Sequence, residues 1–172
     1  LQLLLYLKAA LNQEDDALPA GAFYMQVADP LLPDQEDTQK IEDALAKALC
    51  LRGVALKDAA ILKRMDDGTP PLTLPKVMTA DGGFDKRAML ATLDDLHKLI
   101  TFAGEMAQKW AMHMRRGEIS AKPLCDKNLK GPCDRCDYAA ICRRDVSRYP
   151  ENARMMQEMK FDELLEKINT PD

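Results

Sequence analysis

The chain has 172 residues, of which 47% are hydrophobic and 30% are charged, and its net charge is −4. These values are typical of a globular protein with a core of its own. The longest apolar run, residues 3–7, is too short to cross a membrane, which excludes a membrane-spanning protein. No basic region or cleavage site of a signal peptide precedes that run, so we expect an intracellular, cytoplasmic protein.

The first part of the chain predicts helices and short strands in alternation. Residues 1–12 carry apolar side chains at three- and four-residue spacing and predict a helix. This helix begins without an N-cap and the chain without a Met, so we expect the end of a longer protein, cut within a domain. AFYMQVA, residues 22–28, is rich in aromatic and β-branched side chains and predicts a strand. Four further predicted elements are a helix over 37–49, short strands over 51–56 and 76–79, and a helix from its N-cap Asp58 to Met65.

The longest predicted element is a helix from Leu93 to Arg116. Thr92 is a good N-cap, and Asp95 occupies the position of a capping-box acid. Gly117 suits the left-handed residue that ends many helices. The helix carries one apolar stripe, which we expect to lie in the core along its whole length: Leu96, Leu99, Ile100, Ala103, Met106, Ala107, Trp110 and Met114.

The chain beyond Gly117 is irregular, apart from a short predicted helix around Cys142 and a terminal helix over 161–168. Between Arg115 and Arg148, nine Lys and Arg residues oppose five Asp and Glu residues. This segment therefore carries +4, and the rest of the chain carries −8. Such a basic lobe on an acidic chain indicates a polyanionic partner, and a solvated surface explains the charge equally well.

Four of the five cysteines fall within eighteen residues: Cys125, Cys133, Cys136 and Cys142. Clustered thiols in a reducing compartment favour a metal over disulfides, because a metal ion or an iron–sulfur cluster neutralises the converging thiolates. Zinc ribbons usually contain two CxxC pairs, whereas only one is present here, so the pattern suits a cluster better. Buried, unligated thiols are the alternative, and packing is the expected role of the distant Cys50.

Two motifs stand at opposite ends of the chain, LQLLLYL at residues 1–7 and PCDRCDYAAICRRD at 132–145. PAGAFYMQVADPLL, LRGVALKDAAILKRMD and DGGFDKRAML lie between them. Together these segments resemble the C-terminal nuclease domain of the AddB/RexB family, the B subunits of bacterial ATP-dependent helicase/deoxyribonucleases. The resemblance implies an α/β fold, namely a partial PD-(D/E)XK (restriction-endonuclease-like) core that is mostly helical in this chain. It assigns residues 1–116 to the nuclease core with inserted helices, and 117–172 to an iron–sulfur cysteine loop and terminal helix of the same domain.

The resemblance implies a nuclease that cuts phosphodiesters with a divalent metal held by acidic residues beside a lysine. Gln2 and Tyr6 match the accessory QxxxY motif of this class, and their spacing of four places both side chains on one helix face. The catalytic strand, with its Asp and its Asp-Tyr-Lys-like triplet, has no counterpart in this sequence. We therefore expect Mg²⁺ only in the intact site, and no nuclease activity from the chain alone.

The family also carries a 4Fe-4S cluster, three ligands of which come from a CxxCxxxxxC motif. This motif corresponds to Cys133, Cys136 and Cys142, whereas the fourth ligand lies far upstream and Cys125 does not match the ligand set. The cluster is expected to fasten the end of the domain and to help hold DNA ends. Double-strand DNA ends and the A subunit of the heterodimer are the implied partners. The basic residues expected to contact phosphates are Lys127, Lys130, Arg143 and Arg144.

Two functions outside this class also fit the residues. The first is a non-catalytic iron–sulfur or zinc module that binds nucleic acid, which would lack an Asp-Tyr-Lys-like triplet upstream in its gene. The second is a small redox carrier, which the cysteine spacing disfavours because ferredoxin-type carriers have tighter cysteine runs.

Overall fold

The computed structural model of the chain describes residues 1–28, 30–31, 37–68, 73–74, 77–79, 81–118, 120, 122–142 and 153–170. Contacts between residues divide it into two compact units. Unit 1 comprises Leu1–Ala107 together with Leu165–Asp172, and unit 2 comprises Gln108–Leu164. The predicted division into a nuclease core, residues 1–116, and a cysteine-rich segment, residues 117–172, was made by resemblance and not by contacts. It stays a prediction. In the part of the chain that is described, no helix is long and apolar enough to cross a membrane.

Helices and short strands alternate along the chain. The elements that begin in unit 1 are α1 (Gln2–Leu11), β1 (Gly21–Tyr24), α2 (Thr38–Leu49), β2 (Arg52–Leu56), α3 (Ala59–Met65), β3 (Leu90–Ala91) and α4 (Leu93–Arg115). Those that begin in unit 2 are β4 (Leu124–Cys125), a 3-10 helix (Pro132–Arg135), α5 (Ala139–Cys142), β5 (Arg154–Met155) and α6 (Phe161–Asn169). The last part of α4 belongs to unit 2, and the last part of α6 belongs to unit 1. This mixture of helices and small sheets confirms the predicted α/β class.

The sheet of unit 1 has three strands in the order β1-β2-β3. The β1 strand runs antiparallel to β2, with Gly21 opposite Ala55, and β3 runs parallel to β2, with Leu90 beside Ala55. Gly53 lets β2 approach β1 closely, because a Cβ atom at this position would collide with the carbonyl oxygen of Ala22. Unit 2 contains a second sheet, in which the two-residue strands β4 and β5 pair in parallel.

The core of unit 1 lies between the sheet and its helices. One cluster of buried side chains joins β2, α3 and β3 to the intervening loop: Ala55, Leu62, Leu74, Val77 and Leu90. The first half of α4 adds four further buried side chains: Leu96, Leu99, Ile100 and Ala103. Their spacing of three and four residues turns one face of α4 inward, as the sequence predicts.

Both predicted helix caps are present. The carboxylate of Asp58 accepts hydrogen bonds from the N–H groups of Ala60 and Ile61, at 2.8 and 3.1 Å, and so fixes the start of α3. At the start of α4, the Thr92 hydroxyl accepts the Asp95 N–H at 3.2 Å and donates to the Asp95 carboxylate at 2.7 Å. Local side-chain chemistry therefore sets both helix starts where the sequence predicts them.

Two of the predicted strands are shorter than expected. The strand predicted over 22–28 ends at Tyr24, because Tyr24 pairs with Arg52, the first residue of β2, and no residue of β2 remains beyond it. In the segment predicted as a strand over 76–79, Met78 forms only an isolated bridge with Phe84. Position 76 lies outside the described residues.

The expectation that the apolar stripe of α4 is buried along its whole length is wrong. Trp110 is 43% exposed and Met114 is 68% exposed, whereas Ala103, earlier on the same helix, is fully buried. The helix leaves the core of unit 1 after Ala107 and continues into unit 2, where Trp110 and Met114 stay partly exposed.

A single carboxylate fixes the segment that follows α3. Asp66 accepts hydrogen bonds from the N–H groups of Gly68, Thr73 and Leu74 at 2.7–3.1 Å, and from the Thr73 hydroxyl at 3.0 Å. Burial alone would raise the pKa of Asp66, but these hydrogen bonds outweigh it and lower the pKa from 3.8 to about 2. The contacts hold Leu74 in the core cluster.

We expect Asp66→Asn to lower the free energy of unfolding at neutral pH by about 1–3 kcal/mol, because an amide can accept fewer of these hydrogen bonds. The pKa of Asp66 is lower in the folded state, so its contribution is fully present above about pH 4 and is lost as the pH falls towards 2. Screening by water limits this pH-dependent contribution of Asp66 to about 1 kcal/mol. Urea unfolding at pH 7 and pH 2.5 measures both effects, and Asp67→Asn, at the exposed neighbouring acid, is the control. An equal loss at both pH values would contradict the prediction.

Candidate functional site

The first candidate site is a pair of hydrogen-bonded side chains on α1. The Gln2 side-chain amide donates to the Tyr6 hydroxyl at 2.8 Å, and both side chains are exposed. Their common helix face is the arrangement that the spacing of four residues predicts. An amide and a phenol supply hydrogen-bond donors and acceptors rather than an anionic metal ligand. The pair can therefore orient a phosphate, a water or another ligand, and it is not suited to hold a divalent cation alone.

Two neighbours in unit 1 position α1. The helix contacts β1, and its Lys8 side chain lies across Gly104 of α4, where a Cβ atom would collide with the ammonium group. Gly104 thus permits a close approach of the Lys8 side chain to α4. These contacts leave the face that carries Gln2 and Tyr6 open to solvent.

The second candidate site is the cysteine segment of unit 2. Cys133 is half-buried within the 3-10 helix, Cys136 follows that helix directly, and Cys142 ends α5. The N–H of Cys136 donates to the carbonyl of Cys133 at 3.4 Å, and the N–H of Cys142 donates to that of Tyr138 at 2.9 Å. Cys136 and Cys142 are exposed, and all five cysteines are free thiols.

A tight turn leads from β4 into the cysteine segment. The Asp126 carboxylate accepts the N–H groups of Asn128 and Lys130 at 2.8 and 2.9 Å, and Leu129 takes a left-handed conformation with φ of 61°. Gly131 then passes so close to β4 that a Cβ atom there would lie 2.6 Å from the Leu124 carbonyl oxygen and 3.2 Å from the Cys125 sulfur. The turn therefore returns the chain to β4 just before Cys133.

Cys125 is buried, with 1% of its surface exposed. Burial raises the pKa of its thiol, and the proximity of Cys133, Asp134 and Asp126 raises it further. Both effects favour the neutral thiol, which packs as a small apolar side chain. The structure thus gives Cys125 a packing role in unit 2, in contrast to the exposed thiols that follow it.

The cysteine segment has the thiol donors that a metal cluster needs, but these thiols do not converge on one point. Three free thiols lie within ten residues at the spacing of the predicted ligands Cys133, Cys136 and Cys142. However, within the described ranges no three His, Cys, Asp or Glu side chains converge closely enough to hold a metal ion. The ligand assignment of these cysteines therefore stays a prediction, and the same finding applies to an acidic Mg²⁺ site.

The four basic residues predicted to contact phosphates lie before and after the cysteine segment along the chain. Lys127 and Lys130 are both exposed and lie in the turn that Asp126 organises. Arg143 and Arg144 lie outside the described residues. The structure thus places two of the four predicted cations in one turn, next to the cysteine segment.

Sequence reasoning missed a cluster of rings and charges in unit 2. The Arg154 guanidinium lies 5.6 Å from the centre of the Trp110 ring, and the His113 ring lies 5.5 Å from it at an angle of 54°. His113 Nδ1 lies 2.7 Å from a carboxylate oxygen of Glu118. The spacing of Trp110 and His113 by three residues is the only signal in the sequence, since Arg154 is distant along the chain.

Comparison with known proteins gives consistent matches along the chain. The family model described as the PD-(D/E)XK nuclease superfamily matches residues 1–143. The chain is 30% identical over 176 residues to the B subunit of an ATP-dependent helicase/deoxyribonuclease from Alkaliphilus metalliredigens (strain QYMF). It is 35% identical over 178 residues to the B subunit of the enzyme of the same name from Clostridium tetani (strain Massachusetts / E88). Each alignment covers 98% of this chain, which spans 15% of the length of these curated relatives.

Proposed function

Because this chain belongs to the PD-(D/E)XK nuclease superfamily, we propose that it forms part of the nuclease domain in the B subunit of an ATP-dependent helicase/deoxyribonuclease. The observation that carries the proposal is the hydrogen-bonded pair of Gln2 and Tyr6 on an exposed helix face, at the positions of the QxxxY motif. Both residues lie within the segment that the family model matches. The names of the similar B subunits support the same function.

In this function, the whole enzyme hydrolyses phosphodiesters at double-strand DNA ends for recombinational repair in the cytoplasm. The A subunit of the heterodimer is the protein partner. The Gln2 amide and the Tyr6 hydroxyl position DNA or the ligands of the metal, because they are uncharged hydrogen-bonding groups. They are therefore positioning residues rather than groups that exchange a proton with the substrate.

Mg²⁺ is the metal of the proposed nuclease site, where it would activate a water for attack on phosphorus. The described residues contain no convergent acidic group that could hold this ion. We therefore expect the purified chain alone to leave DNA intact. Metal-dependent degradation of linear duplex by this chain would contradict that expectation.

We also propose that Cys133, Cys136 and Cys142 ligate a 4Fe-4S cluster, together with a fourth ligand from elsewhere in the whole protein. Their thiols are free and close in sequence, and two of the three are exposed, so they are available to a cluster once the fourth ligand is present. A bound cluster would connect this segment to the part of the protein that supplies the fourth ligand.

The basic residues of the same segment are proposed to contact DNA phosphates. Lys127 and Lys130 belong to an ordered turn, and Arg143 and Arg144 follow Cys142 in sequence. Contacts of this kind weaken steeply as salt rises, because binding releases counterions from the DNA.

The test is Tyr6→Ala in the complete heterodimer. We expect the rate of DNA degradation to fall by about 10- to 100-fold, since a misplaced reacting group costs about that much, while ATP hydrolysis and unwinding are unchanged. Rates are measured on linear duplex with ATP and Mg²⁺. Tyr24→Ala is the matched control, because Tyr24 is another exposed tyrosine of unit 1 and ends a strand rather than facing Gln2.

Two outcomes of this experiment would contradict the proposal. One is full nuclease activity in Tyr6→Ala, and the other is an equal loss of nuclease and unwinding in folded Tyr6→Ala, which would show that Tyr6 has no specific role in the nuclease step. Tyr6→Phe separates the two contributions of the side chain. It keeps the ring, removes the hydroxyl that accepts from Gln2, and is expected to show most of the loss.

A further inference from the structure

The only tryptophan of the chain lies on the surface of unit 2. Trp110 belongs to the second half of α4 and is 43% exposed. Tryptophan is enriched at binding surfaces, because its large apolar ring also carries a polar N–H, so an indole that stays partly open to solvent is a candidate contact surface. Two other side chains lie next to the Trp110 ring and help to define this surface.

Arg154 stands over the Trp110 ring and is held there from two sides. Its backbone N–H donates to the Pro123 carbonyl at 2.8 Å, and its side-chain Nε donates to the Lys122 carbonyl at 2.9 Å. The pairing of β5 with β4 places Arg154 beside Leu124. A guanidinium that is fixed in this way keeps its charge next to the indole without a further loss of side-chain entropy on binding.

His113 completes the cluster on the same helix. Its ring is tilted by 54° to the indole, and its Nδ1 lies 2.7 Å from a carboxylate oxygen of Glu118. Glu118 thus faces the imidazole and contributes the nearby negative charge of the cluster. We call Trp110, His113 and Arg154 the tryptophan platform.

We propose that the tryptophan platform binds single-stranded DNA, with an unpaired base stacked on the exposed indole and a phosphate near the Arg154 guanidinium. Base–aromatic stacking beside a cation is a common way to hold single strands without sequence preference. The segment from Arg115 to Arg148 carries +4 on a chain of net charge −4, so the charge of this region complements a nucleic acid. The inference rests on the proposed function, because an enzyme that processes DNA ends encounters unpaired strands.

A protein partner is the competing occupant, because Trp and Arg are also common at protein interfaces. The net positive charge of the segment from Arg115 to Arg148 favours DNA, since lysine is depleted at protein interfaces. The two occupants are separated by the test below, because the DNA titration contains no protein partner.

The test uses the fluorescence of Trp110, which is the sole indole reporter in the full chain. Titration with oligo-dT is expected to quench this fluorescence to saturation, with an affinity that falls as salt rises. An oligonucleotide of equal length with abasic sites carries the same phosphates and no bases. It is expected to bind more weakly, as measured by anisotropy of a label on the DNA, and to leave the fluorescence unchanged.

Variants test the two parts of the platform. Trp110→Ala is expected to weaken binding of oligo-dT by about 10- to 100-fold, and Trp110→Phe by less, because a phenyl ring still stacks. Arg154→Ala is expected to weaken binding and to reduce its dependence on salt. Arg64→Ala removes an exposed arginine of α3 in unit 1 and is the matched control. Circular dichroism checks folding, and the wild-type titration decides the question even if a Trp110 variant fails to fold.

Three results would overturn the inference. They are the absence of oligo-dT binding, binding without a change in Trp110 fluorescence, and equal quenching by the abasic oligonucleotide. A response of Trp110 to the A subunit together with no response to DNA would assign the surface to a protein and also overturn it. Failure of the proposed function is distinguishable, because it is measured through Tyr6 in unit 1 as degradation of duplex DNA. Quenching without any effect of Tyr6→Ala would support the platform and reject the nuclease role.

Discussion

If the proposed 4Fe-4S cluster is present, the anaerobically purified complete protein is expected to lose the visible absorption of that cluster when Cys133 is replaced by serine. A serine hydroxyl is a poor ligand for iron at neutral pH, because it is a harder donor than a thiol and does not ionise readily. Cys133 is the best of the three positions for this test. It lies inside the 3-10 helix and follows directly from the turn at Gly131, so the backbone around it is well defined.

The same variant is expected to bind DNA ends more weakly, because the proposed cluster would no longer connect the segment with Lys127 and Lys130 to the rest of the protein. Absorption spectra and DNA-end binding are measured together on each variant. Iron and sulfide in equal amounts in the wild type would exclude zinc.

Two other cysteines provide controls for this prediction. Cys50→Ser is the matched control, since Cys50 lies in unit 1 and its thiol donates to the Leu74 carbonyl at 3.8 Å. Cys125→Ser tests a buried thiol of unit 2 and is also expected to keep the cluster, although it removes a packed side chain. Full colour in Cys133→Ser would contradict the ligand assignment, and loss of colour in Cys125→Ser would identify Cys125 as a ligand.

Replacing Leu96 by alanine is expected to lower the free energy of unfolding by about 2–5 kcal/mol, the range typical of leucine truncation in cores. Leu96 is completely buried in α4, and Leu99, Ile100 and Ala103 are buried beside it. The cost contains the lost burial of the side chain and the cavity that remains, because the helix cannot move inward without disturbing those neighbours.

This loss is a large fraction of the stability of a typical domain, so the variant is expected to unfold at a much lower urea concentration. Unfolding in urea, followed by far-ultraviolet circular dichroism, measures it. Leu18→Ala is the control, since Leu18 is 67% exposed and its truncation should change stability by no more than about 0.5 kcal/mol. Equal unfolding midpoints for the two variants would contradict the position of α4 in the core.

The elements that the sequence predicts well are those with local causes. Asp58 and Thr92 set the starts of α3 and α4 through hydrogen bonds to residues two or three positions away. The β3 strand was not predicted, because two residues show no periodicity and pair with β2 only through the fold. The parallel pairing of Leu124 with Arg154 was missed for the same reason. The sequence does not predict the exposure of Trp110. Periodicity identifies the apolar face of α4, but it does not show how far along the helix the core extends.

The candidate sites divide in the same way. The common face of Gln2 and Tyr6 follows from helix geometry alone, so four-residue spacing was sufficient to predict it. The donor atoms of Cys133, Cys136 and Cys142 are likewise evident from spacing, but convergence of ligands depends on groups that are distant along the chain. The contact of Arg154 with Trp110 requires the β4–β5 pairing and could not be predicted from either residue.

The discontinuity of unit 1 has a consequence for the order in which the protein folds on the ribosome. Unit 2 is a continuous segment, so all of its residues are available for folding once residue 164 leaves the exit tunnel. Unit 1 is complete only with its last portion, in which Asn169 donates to the carboxylate of Asp95 at 3.1 Å, next to the start of α4. Asp95, at the start of α4, is therefore synthesised well before its hydrogen-bond donor Asn169. It acquires this partner only when translation has reached the end of α6.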